Sequence, residues 1–215
     1  MEFRGEYGNA ESLALKGLQY MHQAEKSESS YKKAYSYFER ALEIDPKDHQ
    51  SNYYVGLMNM LGYGREQNIP KALQCFEKPG MEKDPRALNA IGYIYHSAPE
   101  VFDKDSAKLN LFRGIRKDGQ KALKSFKAAA RYGSVNAKYN IGSLYLSGDV
   151  INDPEDKVEF SFSSAYEYFR QAAEKGHTLA AYNIAIMHFT GLGTYQSCSV
   201  ASTFIQHVAG VGQHT

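Results

Sequence analysis

Runs such as "AKYNIGSLYLSG" and "AAYNIAIMHFTG" place apolar or small residues four, then three, then four positions apart. Ala137, Ile141, Leu144 and Gly148 form one such series, and Ala180, Ile184, Met187 and Gly191 repeat it. That spacing puts a single apolar stripe on an α-helix. Two further copies, "SNYYVGLMNMLG" and "ALNAIGYIYHSA", align with these on Gly56, Gly92, Gly142 and Ala185, and a weaker copy surrounds Gly17. A second pattern alternates with the first: "KAYSYFERA", "KALQCFEKP", "KALKSFKAA" and "SAYEYFRQA" each carry an Ala followed four residues later by a Phe. The pairs are Ala34 with Phe38, Ala72 with Phe76, Ala122 with Phe126 and Ala165 with Phe169, and "VASTFIQHV" is a degenerate fifth copy around Ala201.

Successive alanines of the second pattern are 38, 50, 43 and 36 residues apart. The unit is therefore a helix pair of roughly 36 to 44 residues, the range of helical solenoids. The pattern predicts an all-α, right-handed solenoid of stacked antiparallel helix pairs, forming a single repeat domain over 1–215. Its parts are a partial unit at 10–27, full units at about 30–65, 66–100, 118–149 and 160–193, and a partial unit at 196–215. Ala or Gly is expected where the two helices of a pair cross, with the Phe of the first helix filling the space beside it. Gly62, Gly148 and Gly191 are expected as left-handed caps of second helices. The longer spacings map to insertion loops at about 98–119 and 149–161, the first carrying a short helix at "SAKLNLF". Near the C-terminus a helix from about Val200 to Val208 has no second helix behind it, and a partner chain covering that half-repeat would make a homodimer.

Composition narrows the class of function. Hydrophobic residues make up 43% and charged residues 23%, a globular balance, and a net charge of +1 gives no field that argues for nucleic acid. Seventeen Tyr with no Trp and six Pro suit helices that pack aromatic rings against small residues. The N-terminal "MEFRGEYGNA" does not read as a secretory signal, and no run of about 18 apolar residues occurs, so no membrane insertion is expected of this chain. Two cysteines are too few for a disulfide framework, and no Asn-x-Ser/Thr acceptor is present.

The busiest stretch for chemistry is "HTLAAYNIAIMHFTGLGTYQSC", His177 to Cys198. His188 takes the place that Tyr95 and Tyr145 take in sister repeats, which makes it a packing residue with a polar tip. His177 follows a helix-ending glycine and reads as cap or turn polarity. The Gly-x-Gly pairs at Gly62 and Gly64 and at Gly191 and Gly193 lack the strand-before, helix-after context of a dinucleotide fingerprint, so they read as turns of positive φ. Cys75 stands three residues after the repeat alanine, where Tyr37, Ser125 and Tyr168 also stand, so it reads as a variable position outside the core. Cys198 reads as a buried or half-buried thiol, and a bridge between the two is not expected. No metal-ligand spacing, nucleophile with its base, or cofactor motif is present, and Asp153, Glu155 and Asp156 form a solvated acidic loop. A hydrolase built on His188 and Cys198 is the enzymatic alternative. Variable positions of first helices, Tyr37, Arg40, Tyr168 and Gln171, are the candidates for a partner-binding concave face. The two tyrosines can equally be packing residues between neighbouring units.

The alternation "A-x-x-x-F-x-x-A … A-x-Y-N-I-G-x-x-Y-x-x-G" resembles Sel-1-like repeats, relatives of tetratricopeptide repeats, over nearly the whole chain. "YFERALEIDP" is closer to a tetratricopeptide than the other copies are. "GHTLAAYNIAIMHFTGLGTYQSC" is similar to late repeats of the Sel-1L family of adaptors in ER-associated degradation. That resemblance implies a non-enzymatic scaffold that binds a membrane ubiquitin ligase, receives misfolded-protein clients and works at the endoplasmic reticulum without cofactors. The family's signal peptide, additional repeats and membrane anchor have no counterpart in this sequence, which leaves open a fragment of such an adaptor or a short cytoplasmic relative binding an unrelated peptide or protein.

Overall fold

The computed structural model describes residues 9–23, 27–99, 106–148 and 161–211. Most of the insertion at 149–161, with Asp153, Glu155 and Asp156, lies outside the described residues, as do residues 100–105 of the first insertion. The chain divides into two compact units, Met1–Lys117 and Asp118–Thr215. Among the described residues all regular structure is helical. The first unit holds α1 (Ala10–His22), α2 (Glu28–Ile44), α3 (His49–Leu61), α4 (Ile69–Phe76), a 3-10 turn (Met81–Lys83), α5 (Pro85–Ser97) and α6 (Ser106–Phe112). The second holds α7 (Gly119–Arg131), α8 (Val135–Ser147), α9 (Phe162–Ala173), α10 (Thr178–Thr190) and α11 (Cys198–Val211).

Local chemistry sets the boundaries. A polar side chain accepts a hydrogen bond from the backbone N–H three residues on at the start of nearly every helix: Asp48 from Ser51 at 2.7 Å, Asn68 from Lys71 at 2.9 Å, Asp118 from Lys121 at 2.8 Å and Ser134 from Ala137 at 3.1 Å. Each satisfies an amide that has no partner within the helix. Gly62, Gly148 and Gly191 close α3, α8 and α10 with φ of 75°, 68° and 77°. The fourth second helix differs, because α5 ends on Ala98 in an extended conformation. Pro79 follows two residues after the cap of α4 and keeps that helix short.

The predicted stripes are the buried faces: Ala137, Ile141 and Leu144 in α8 and Ala180, Ile184 and Met187 in α10 are all within 4% of complete burial. The repeat alanines Ala34, Ala72, Ala122 and Ala165 are fully buried, and Phe38, Phe76, Phe126 and Phe169 with them. Gly92, aligned with the other helical glycines, is buried in α5. The short helix α6 covers "SAKLNLF" and sets Phe112 into the same cluster as Ala90, Ile94 and Ala98.

One packing expectation is corrected. The Phe of a first helix does not sit against the Gly of its own second helix; it sits against the Gly of the helix before it. A Cβ on Gly17 of α1 would come within 2.7 Å of the Phe38 ring in α2, on Gly56 of α3 within 2.5 Å of the Phe76 ring in α4, and on Gly142 of α8 within 2.8 Å of the Phe169 ring in α9. The tight joint is thus the one across the loop from second helix to next first helix, and the four most extensive helix contacts, α1 with α2, α8 with α9, α10 with α11 and α3 with α4, are all of this kind. The reason is geometric: an aromatic ring lies flat on a helix backbone only where no Cβ stands in its way. Replacing Phe169 by Ala is expected to cost about 3–5 kcal/mol, the range for large-to-small core changes, as read from urea denaturation.

Candidate interaction surfaces

Tyr37 and Arg40 lie on the outward side of α2, three residues apart. Tyr37 is half-buried because its ring stacks on Tyr20 of α1, with centroids 5.5 Å apart and planes 11° apart. Arg40 sits over the Tyr37 ring at 5.7 Å, Lys16 over the same ring at 6.0 Å, and Lys33 over the Tyr20 ring at 5.6 Å. In the second unit Tyr168 of α9 stacks on Tyr145 of α8 at 5.7 Å and 16°. Gln171 there donates to the Glu167 carboxylate at 3.1 Å. Tyr37 and Tyr168 therefore both pack on the preceding helix, and both keep one edge toward solvent. Within each unit the structure brings the two sequence candidates onto one face. Lys16, Tyr20 and Lys33 were not singled out in the sequence, because a stack between helices is invisible to spacing along one of them.

A polar knot joins α2, α3 and α4. The Tyr35 hydroxyl accepts from the Lys71 ammonium at 3.0 Å and from the Asn59 amide at 3.4 Å, and Arg65 covers the Tyr35 ring at 4.3 Å. Lys71 also reaches Glu39 at 3.3 Å. The hydrogen bond that the ammonium donates to Tyr35, and then the one it donates to Glu39, hold it above its ordinary value, against partial desolvation. Tyr35 and Asn59 are buried, so the knot locks the two helices rather than offering a surface.

Both histidines of the C-terminal stretch are structural. His177 caps α10: its Nδ1 accepts from the Ala180 N–H at 3.2 Å, and its ring stacks on Tyr139 of α8 at 4.5 Å. His188 is 2% exposed and bridges the Tyr166 hydroxyl of α9 at 3.1 Å and the Tyr195 carbonyl at 3.1 Å. Because a carbonyl can only accept, Nδ1 carries the proton and Nε2 faces the phenol. The same corner holds α11, since Ser197 donates its N–H to the His188 carbonyl at 2.8 Å and accepts from Val200 through its hydroxyl at 3.3 Å. With both ring nitrogens engaged, His188 is tied into packing and is not poised over a thiol.

Both cysteine expectations are corrected. Cys75 is 4% exposed and packs with Val55, Met58 and Ala34, because α4 turns that side onto α3 and α2. Cys198 is exposed, because it opens α11 beyond the Gly-x-Gly turn. Both thiols are free. The turns themselves need glycine twice over. Gly64 and Gly193 have φ of 68° and 74°, and a Cβ on Gly64 would lie 2.6 Å from the backbone of Tyr31 and Lys32, while one on Gly193 would strike the Phe162 carbonyl. Among the described residues no cluster of three or more His, Cys, Asp or Glu suits a metal, and no helix is long and apolar enough to cross a membrane.

The Sel1 repeat family model matches residues 10–45, 49–78, 107–134, 135–177 and 178–201. The chain belongs to the Sel1 repeat family. The family's repeats begin at α1, α3, α8 and α10, so each of those runs from a second helix of the sequence pattern into the following first helix, the joint closed by the Gly–Phe contact where both residues are present. Among solved structures, a Sel1 repeat protein from Oxalobacter formigenes is similar with a TM-score of 0.73 and 22% identity, over 95% of this chain and 74% of that one. A protective antigen of uropathogenic Escherichia coli displaying an SLR fold aligns with a TM-score of 0.43 and 22% identity, over 95% of this chain and 46% of its own. The first likeness is one of fold, an all-α solenoid-type repeat. Sel1 repeats are protein-interaction scaffolds, and no enzymatic family is matched.

Two outcomes follow from the side-chain geometry. Burial holds the His177 imidazole below its ordinary value of 6.5. With the folded value below the unfolded one, the cap is fully present above pH 6.5 and is lost as pH falls through the folded value, because protonation removes the Nδ1 acceptor and sets a cation at the positive end of α10. Urea denaturation across that window is expected to show this loss, about 1 kcal/mol for a cap, in the parent protein and not in His177→Asn. Iodoacetamide on the native protein is expected to label Cys198 and leave Cys75, whose thiol is pushed up by burial, unmodified until the protein unfolds, as read by peptide mass spectrometry.

Proposed function

We propose that this Sel1 repeat chain is a scaffold of a membrane ubiquitin-ligase complex that degrades misfolded proteins at the endoplasmic reticulum. The observation that carries the reading is the corner built by His177 to Cys198, the stretch that resembles late repeats of the Sel-1L adaptors. Its distinctive residues act together: Met187 packs beneath Gly193, His188 ties α9 and the turn, and Ser197 ties the turn to α11. The same helix presents a row toward solvent, Leu179, Tyr182, Ile186 and Phe189, each at least 43% exposed and spaced three or four residues apart. At the positions sister to Tyr182, Tyr53 and Tyr139 are half-buried against Arg86 and His177 of the next repeat. In this reading a second copy of the chain covers the row of α10 and the surfaces of first helices receive clients.

Affinity purification of the complete protein from cells tests the central part. A membrane ubiquitin ligase is expected in the eluate, and its absence contradicts the proposal. Sedimentation separately tests the dimer: the parent is expected at twice 24.1 kDa and the Phe189→Asp variant at the monomer mass.

A further inference from the structure

The stacked tyrosines of the two units are dressed differently. Superposing the repeat alanines Ala34 and Ala165 makes Tyr37 equivalent to Tyr168, and the helical glycines Gly17 and Gly142 make Tyr20 equivalent to Tyr145. Both pairs stack in the same manner, at 5.5 Å and 5.7 Å. Ser164 and Gln171 stand in the second unit where Lys33 and Arg40 stand in the first. The first unit adds Lys16, so three cations surround one tyrosine pair.

Those cations are unspent. Among the described residues neither Lys16, Lys33 nor Arg40 forms an ion pair, whereas the neighbouring Lys32 is paired with Glu28 at 2.7 Å and Glu39 is taken by Lys71 and Arg65. The phenol hydroxyls of Tyr20 and Tyr37 likewise have no hydrogen-bond partner among the described residues, and Lys16 and Lys33 are exposed. Five donors thus converge on one face of α1 and α2 with no acceptor to meet them. A carboxylate supplies what the face lacks, since it accepts both from cations and from phenols. A nucleic-acid strand fits less well, because base stacking needs a free ring face, and here the rings lie on each other and beneath the cations.

We propose that the face formed by Lys16, Tyr20, Lys33, Tyr37 and Arg40 is a docking surface for an acidic, Asp- and Glu-rich segment of a partner protein. The assignment concerns the first unit alone and is independent of the ubiquitin-ligase reading: it holds in any compartment and survives if no ligase co-purifies. Tyr37 and Tyr168 then differ in role. The second stack is a packing device, and the first is the same device carrying charge.

The probe is a fluorescein-labelled peptide of alternating Glu and Gly, with a Gln-for-Glu peptide of equal length as control, read by fluorescence anisotropy at low and at physiological salt. The parent protein is expected to bind the Glu peptide, more weakly as salt rises, and to ignore the Gln peptide. Lys33→Ser with Arg40→Gln, which gives the first unit the residues of the second, is expected to weaken binding about tenfold or more with an unchanged circular-dichroism melt. Should that pair of changes disturb folding, Lys16→Gln, at an exposed position, is expected to weaken binding measurably on its own. The reciprocal Ser164→Lys with Gln171→Arg variant is expected to create a second, weaker site, since Ile141 stands there in place of Lys16. Binding that is equal for both peptides, unaltered in the Lys33/Arg40 and Lys16 variants, or tighter for a single-stranded oligonucleotide of equal charge overturns the proposal.

Discussion

A phenylalanine ring laid on a helix where no Cβ stands is the contact on which each unit depends. Glycine inside a helix costs about 1 kcal/mol relative to alanine, and this chain places one mid-helix in α1, α3, α5 and α8. Those of α1, α3 and α8 are each matched by a fully buried Phe of the following helix, and burying such a side chain contributes about 1.5–3 kcal/mol. The loss in propensity is therefore offset at the same contact that causes it. The ring also meets aromatic neighbours: Phe38 stacks on Tyr54 of α3, the helix on its other side, at 5.1 Å, and Phe169 lies against Tyr139 of α8, the helix that carries Gly142, at 5.5 Å. One side chain thereby orders three helices in the first case.

The last pair shows what happens without that contact. Ala185 replaces the glycine in α10, and Ile205, four residues after Ala201, replaces the Phe and is 52% exposed. Phe204 instead packs beside the His188 ring, 6.3 Å between centroids with nearly parallel planes. His188 then does through hydrogen bonds what the ring does elsewhere, tying α9, the Gly-x-Gly turn and, through Ser197, α11. A buried imidazole suits this because it offers one donor and one acceptor at fixed angles. The corner is polar where its sisters are apolar, and its residue pattern is correspondingly distinctive.

Much of the fold was legible because a helical stripe and an internal repeat are both written along the chain. The stripes of α8 and α10, the glycine caps and the short helix at Ser106–Phe112 fall where periodicity puts them. Which helix each Phe meets was not legible, since the repeat spacing is the same whether the ring packs forward or back. Cys75 was misread for a related reason: a position tolerant of Tyr, Ser and Cys looks peripheral, yet α4 turns it onto α3. The second glycines of the turns were read as conformational freedom, and their backbone contacts with Tyr31 and Phe162 depend on tertiary closure. Tyr37 and Arg40 were found by position, whereas Lys16, Tyr20 and Lys33 join them only when α1 and α2 pack.

A double-mutant cycle between Gly142 and Phe169 tests the ring-on-glycine joint most directly, with stability measured by urea denaturation. Gly142→Ala is expected to destabilise the parent by about 1–3 kcal/mol through overpacking against the ring. In a Phe169→Leu background the same change is expected to be neutral or stabilising by up to about 1 kcal/mol, as helix propensity alone dictates. An equal effect of Gly142→Ala in both backgrounds would contradict the account.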